Sequence, residues 1–92
     1  MADLLSDTQI EDRLRDSEWR REGNEIVRDR KFADFNEAIA FVNRVAQAAE
    51  EANHHPDILV HGWNNVRLSL TNHAAGGLTD ADFEMAGKFD QV

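Results

Sequence analysis

Apolar residues recur along this chain with two different periods, and the change of period divides it into elements. From Asp34 to about Asn53, Phe35, Ala38, Ile39, Val42, Val45, Ala46 and Ala49 return every three or four positions. That is the pattern of a helix with one face turned to a core. Asp34 followed by Glu37 supplies a capping pair at its start. Phe41, Ala48 and Ala52 widen the apolar surface, as a second contact with a sheet or another subunit would require. The helix should end between Asn53 and Pro56, because the residue before a proline is pushed out of the helical region.

Further on the period falls to two. Val66, Leu68 and Leu70 alternate with Asn65, Arg67 and Ser69, which marks a half-buried strand within Trp63–Thr71, preceded by a partner at Ile58–His61. In the first third, Ser6 and Gln9 form a capping box for a short helix from Asp7 to about Asp16, with Ile10 and Leu14 on one face. Gly23-Asn24 is turn-like, so Ser17–Glu22 and Glu25–Phe32 read as a hairpin, although Arg28, Asp29, Arg30 and Lys31 blur its alternation. After a loop at Asn72–Gly77, Thr79 and Asp82 open a last helix, with Leu78 placed to staple against Phe83 and with Met85, Ala86 and Phe89 inward. The predicted order is α-β-β-α-β-β-α within one domain, residues 1–92.

Composition narrows the function. A chain of 92 residues buries roughly 60–65% of the surface it exposes when unfolded, so part of its apolar surface is expected to lie in an oligomer interface. The absence of cysteine excludes disulfides and thiolate metal sites, and fits a reducing cytoplasm. No apolar run approaches membrane-spanning length, and Met1–Gln9 lacks the layout of a secretory signal. Net charge is −8, which opposes binding to a phosphate backbone. Arg20, Arg21, Arg28 and Arg30 are interspersed with Glu18, Glu22, Glu25 and Asp29, so they read as a solvated mixed-charge surface and not as a nucleic-acid site.

The candidate chemistry lies in Glu50, His54, His55, Pro56, Trp63, His73 and Asp82, spaced E-x3-H-H-P-x6-W-x9-H-x8-D. Imidazole exchanges protons near neutrality with little tuning, so three of them folded together suit proton-transfer chemistry. The two strands between His55 and His73 offer the means of folding them together. If the long helix continued far enough, Glu50 and His54 would sit one turn apart, where Glu50 can orient the imidazole or favour its cationic form. An ordinary last-turn ion pair explains that pair equally well. Pro56 keeps His55 extended, so His54 and His55 should project differently, lining one pocket without chelating one metal. No H-E-x-x-H and no histidine pair at i, i+4 occurs, and no metal is expected. His61 is assigned no chemistry. Trp63 can stack on a flat heterocycle, although a core or interface tryptophan is the default.

Together these pieces resemble the pterin-4a-carbinolamine dehydratase family. The likeness rests on Glu50-x3-His54-His55-Pro56, Trp63, His73 and Asp82, with Ala74-Ala75-Gly76-Gly77-Leu78-Thr79, Phe35-x-Glu37-Ala38, Phe41-Val42-x2-Val45-Ala46 and Trp19 in support. Arg30 departs from it, standing where members often have an apolar strand residue. The resemblance implies an α+β fold, a four-stranded antiparallel sheet covered on one face by helices, and a homodimer with the sheets joined edge to edge, or a homotetramer. It implies a dehydratase that removes water from a 4a-hydroxytetrahydropterin to give quinonoid dihydropterin, in tetrahydropterin recycling and with no cofactor. His54 and His73 would then be the acid/base groups. His55 would position the ring, Glu50 would orient His54, Asp82 would support His73 or its loop, and Trp63 would form part of the wall. Relatives of this fold also serve as dimerisation partners of a transcription factor or as assembly factors. Assembly relatives tend to lose parts of the histidine set, which this chain keeps.

Overall fold

The structure is a computed structural model describing residues 3–92; residues 1 and 2, counted above in the domain and in the N-terminal stretch, lie outside it. Its elements follow the predicted order: α1 (Asp7–Leu14), β1 (Arg20–Glu22), β2 (Glu25–Lys31), α2 (Phe35–Ala52), β3 (Asp57–His61), β4 (Asn65–Leu70) and α3 (Asp80–Phe89). The strands form one antiparallel sheet in the order β1-β2-β4-β3, so the fold is α+β. No helix among the described residues is long and apolar enough to cross a membrane.

Capping chemistry sets the helix starts. Ser6 Oγ accepts from the Gln9 N–H at 3.2 Å, and Gln9 Oε1 accepts from the Ser6 N–H at 2.8 Å, which closes the capping box of α1. Asp34 Oδ1 takes the Glu37 N–H at 2.8 Å at the start of α2. Three predicted strands are longer in sequence than in structure, β2 by Phe32 alone. β1 begins at Arg20, since Ser17 and Trp19 are engaged in a local turn closed by the Ser17 hydroxyl. β4 begins at Asn65, because Gly62, Trp63 and Asn64 make the hairpin tip, with Gly62 and Trp63 both in the left-handed region.

The face of α2 that packs on the sheet is rotated from the predicted stripe. Ala38, Phe41, Val45 and Ala49 are buried, while Phe35 is 51% exposed and Ala46 faces solvent. Phe41 decides the rotation. It is the largest apolar side chain in the middle of the helix, and burying it is worth about 2–3 kcal/mol, more than burying Ala46. Its ring packs 5.0 Å from that of Phe32.

The blurred alternation in β2 has a physical reason. Register pairs Ile26 with Leu70, Arg28 with Leu68 and Arg30 with Val66, so both arginines point to the helix-bearing face. Arg30 fits there because its guanidinium lies over the rings of Phe41 and Phe32, 4.7 and 5.2 Å from their centroids. Burial there pushes its pKa below the usual arginine value. Arg28 pairs with Asp90 and Glu18, and Asp90 also accepts from the buried Trp19 Nε1 at 2.9 Å, fastening the end of α3 to the sheet.

Candidate active site

The β3–β4 hairpin folds the two halves of the histidine set together. Asp57 pairs with Ser69 and Ile58 with Leu68; carried two residues beyond Asp57, that register sets His55 opposite Thr71, with His73 just past it. The segment after β4 is fixed by Asn72. Its carbonyl accepts from the Gly76 and Gly77 N–H groups, and its side chain accepts from the Ala75 N–H at 3.0 Å. Gly76 turns the loop at φ +81°, a conformation that glycine adopts without cost. His73 is thereby held at the loop's entrance.

The other half is placed by the end of α2. The helix stops at Ala52, and Asn53 adopts the left-handed conformation at φ 51° and ψ 42°. The His54 N–H reaches back to the Ala49 carbonyl at 3.1 Å, the long bond of a Schellman closure. Asparagine tolerates this backbone better than other side-chain-bearing residues. The chain therefore turns before Pro56 is reached, and His54 leaves the helix axis.

That turn changes the expected partners. Glu50 does not meet His54; its Oε1 lies 2.5 Å from His55 Nε2, on the solvent side. His54 Nε2 instead meets Asp82 Oδ1 at 2.9 Å. Asp82, expected beside His73 or its loop, stands at the first turn of α3. Its other oxygen accepts from the Thr79 N–H at 2.9 Å and from the Thr79 hydroxyl at 3.3 Å. A fully buried carboxylate is thus supplied with three donors, as burial requires. With Asp82 as acceptor, Nε2 of neutral His54 carries the hydrogen, and Nδ1 is the ring nitrogen free to accept.

Asn53, His54, His55, Thr71, Asn72 and His73 line one open hollow of about 290 Å³, near the lower end of small-molecule sites. Of the sequence-predicted residues, His54, His55 and His73 line it, while Glu50 and Asp82 stand behind His55 and His54. Trp63 does not line it. It is 61% exposed at the β3–β4 hairpin tip, separated from the hollow by the full length of a five-residue strand, about 16 Å at strand rise. Asn53, Thr71 and Asn72 were not singled out in the sequence. Asn53 carried a signal, since asparagine after a helical run is a common left-handed terminator. Among the described residues no group of three or more His, Asp or Glu side chains is arranged to hold a metal ion.

A family model described as pterin 4 alpha carbinolamine dehydratase matches residues 3–92. The chain belongs to the pterin-4a-carbinolamine dehydratase family. It is 52% identical, over all of its length and 99% of the relative's, to a provisionally assigned pterin-4-alpha-carbinolamine dehydratase of Roseiflexus sp. (strain RS-1). A protein of the same provisional assignment from Nostoc sp. (strain PCC 7120 / SAG 25.82 / UTEX 2576) is 48% identical, over 100% of this chain and 99% of the relative. The crystal structure of a transcriptional coactivator/pterin dehydratase from Brucella melitensis superposes with a TM-score of 0.89 at 30% identity, covering 97% of each chain. A pterin dehydratase-like protein described as a RuBisCO assembly factor in the alpha-carboxysome shares the fold, with a TM-score of 0.68 at 24% identity over 83% of this chain and 89% of that one.

Proposed function

We propose that this member of the family is a working dehydratase, acting on a 4a-hydroxytetrahydropterin by histidine acid/base chemistry. The observation that carries the reading is the convergence of His54, His55 and His73 on one open hollow, with His54 held from behind by a buried carboxylate. Elimination needs a proton delivered to the departing 4a-hydroxyl and a proton removed from N5. The C4a–O bond breaks, C4a=N5 forms, and water and the quinonoid dihydropterin leave. His54 and His73 are the groups we assign to these two transfers, each of which a positioned side chain accelerates by about 10²–10⁴-fold. His55 positions the ring, with Glu50 as its carboxylate partner. Asp82 is a positioning residue: it fixes the direction and tautomer of His54 and need not touch substrate.

The setting we propose is tetrahydropterin recycling in the cytoplasm, which suits a cysteine-free chain. Homo-oligomers are part of the proposal, because β3 is an edge strand whose Ile58 and Leu59 are exposed. Light scattering should then give a mass of at least two chains.

The catalytic reading is tested by stopped-flow decay of a 4a-carbinolamine. The protein should accelerate decay, and His54→Ala and His73→Ala should each lose about 10²-fold or more of the acceleration. Full activity in both variants would refute the assignment of roles.

A further inference from the structure

A second hollow adjoins the first, of about 330 Å³, and shares the wall Thr71–Asn72–His73 with it. Its far side is closed by Asn24, Glu25, Asp57 and Gly76. The Thr71 hydroxyl donates to the Asn24 carbonyl at 2.6 Å, tying the β1–β2 turn to the end of β4 and fixing this wall. Glu25 is half-buried and Asp57 exposed, and neither takes part in an ion pair among the described residues. Asp29, four residues further along β2 than Glu25, is by contrast held by Arg20 and Arg67. Apart from His73, which it shares with the first, the second hollow is lined among the described residues by two carboxylates and no other charged side chain.

Pterin chemistry connects the two hollows. The substituent of a pterin is carried on C6, the carbon bonded to N5, and N5 is one of the reacting atoms. A ring seated among the three imidazoles must send its substituent away from a point next to the reacting bond. His73 borders both hollows, so a substituent passing it enters the second. We propose that this second hollow receives the C6 substituent and selects neutral, hydroxylated chains over anionic ones, with Glu25 and Asp57 as the specificity-determining residues. The inference rests on the dehydratase reading for the seat of the ring. Carboxylates accept from hydroxyl groups. They repel a carboxylate or phosphate brought into the same hollow, and a net charge of −8 adds to that repulsion.

Calorimetric titration of three probes, none of which turns over, tests this: 6-methylpterin, a pterin with a dihydroxypropyl chain at C6, and 6-carboxypterin. The dihydroxypropyl probe should bind about fivefold more tightly than 6-methylpterin, the gain of one added hydrogen bond. 6-Carboxypterin should bind least tightly. In a chain carrying Glu25→Gln and Asp57→Asn, the ratio of 6-carboxypterin to 6-methylpterin affinity should rise about tenfold, as expected for removing like charges at close range. An unaltered ratio overturns the proposal, as does an equal loss for all three probes, which would put the carboxylates on the ring. Discrimination in binding without acceleration of carbinolamine decay would retain the subsite and overturn the dehydratase reading. No binding of any probe would overturn both.

Discussion

Two neighbouring imidazoles in this protein are each paired with a carboxylate, and the two pairs have little else in common. His55 and Glu50 approach to 2.5 Å with side chains 54% and 77% exposed, whereas His54 and Asp82 stand 2.9 Å apart at 17% and 0%. The shorter contact is the weaker coupling. In water an exposed pair is screened and must hold two mobile side chains in register, so it contributes about 0–1 kcal/mol. Asp82 has nowhere to go, since Thr79 holds one of its oxygens while His54 occupies the other. One pair is a tether at the rim, the other a strut built into the start of a helix. Burial and the number of donors, rather than distance, decide which carboxylate governs its histidine.

The sharpest way to break this contrast is Asp82→Ala. It leaves the Thr79 N–H and hydroxyl without their acceptor in a buried place, which costs about 1–3 kcal/mol for each stranded group. It also frees His54 to rotate. Urea unfolding should show a loss of about 2 kcal/mol or more, and carbinolamine dehydration should fall by about 10²-fold. Asp82→Asn keeps the shape and restores part of the stability. If activity recovers fully with it, a carboxylate is not what His54 needs.

Asn53 is the next largest lever, because it aims His54 at α3. Asn53→Ala puts a residue ill suited to the left-handed region at φ 51° and should cost about 1 kcal/mol. Asn53→Gly removes the same amide without that strain. Both variants lack the side chain that lines the hollow, so any activity lost in Ala and kept in Gly reports the backbone turn alone. Equal activity and equal stability in the two would sink this account of how the site is aimed.

What the sequence disclosed follows from which features are local. Capping pairs, the alternation of Val66, Leu68 and Leu70, and the hairpin that folds residue 73 back towards 55 depend on near neighbours, and they are legible. The choice of partners is not. Glu50 and His54 fit helical spacing, but one left-handed residue between them sends His54 to Asp82, 28 positions away. The face of α2 was equally ambiguous, because two overlapping apolar stripes compete and only packing beneath Phe41 and Phe32 selects one. Trp63 read as the first residue of a strand, and a tight turn placed it at the hairpin tip instead.

Glu50→Gln tests the weaker pair. Stability should change by less than about 0.5 kcal/mol, as for other exposed ion pairs, and the effect should fall mainly on KM, if His55 positions the ring without moving a proton. A drop in kcat of tenfold or more at unaltered KM would place His55 among the proton-transfer groups and erase the contrast between the two pairs.

The smallest expected effect belongs to the sheet's solvent face, where Asp29 is gripped by Arg67 and Arg20, each at 2.8 Å. These hydrogen bonds, Arg67's first, hold its carboxyl below the usual value of 3.8 against the opposing effect of desolvation. A carboxyl whose folded value is depressed contributes stability that is fully present above its unfolded pKa and is lost as pH falls through the folded one. The contribution should therefore be complete at neutral pH and disappear only below about 3.8. Because the side chain is 42% exposed, salt should reduce it as well. Urea midpoints of wild type and Asp29→Asn, measured at pH 7 and then at successively lower pH below 3.8, should differ slightly at the first and draw together as the pH falls. A gap that persists in acid would mean that Asp29 acts through packing or neutral hydrogen bonds and not through charge, which would make it a strut like Asp82 despite its exposure.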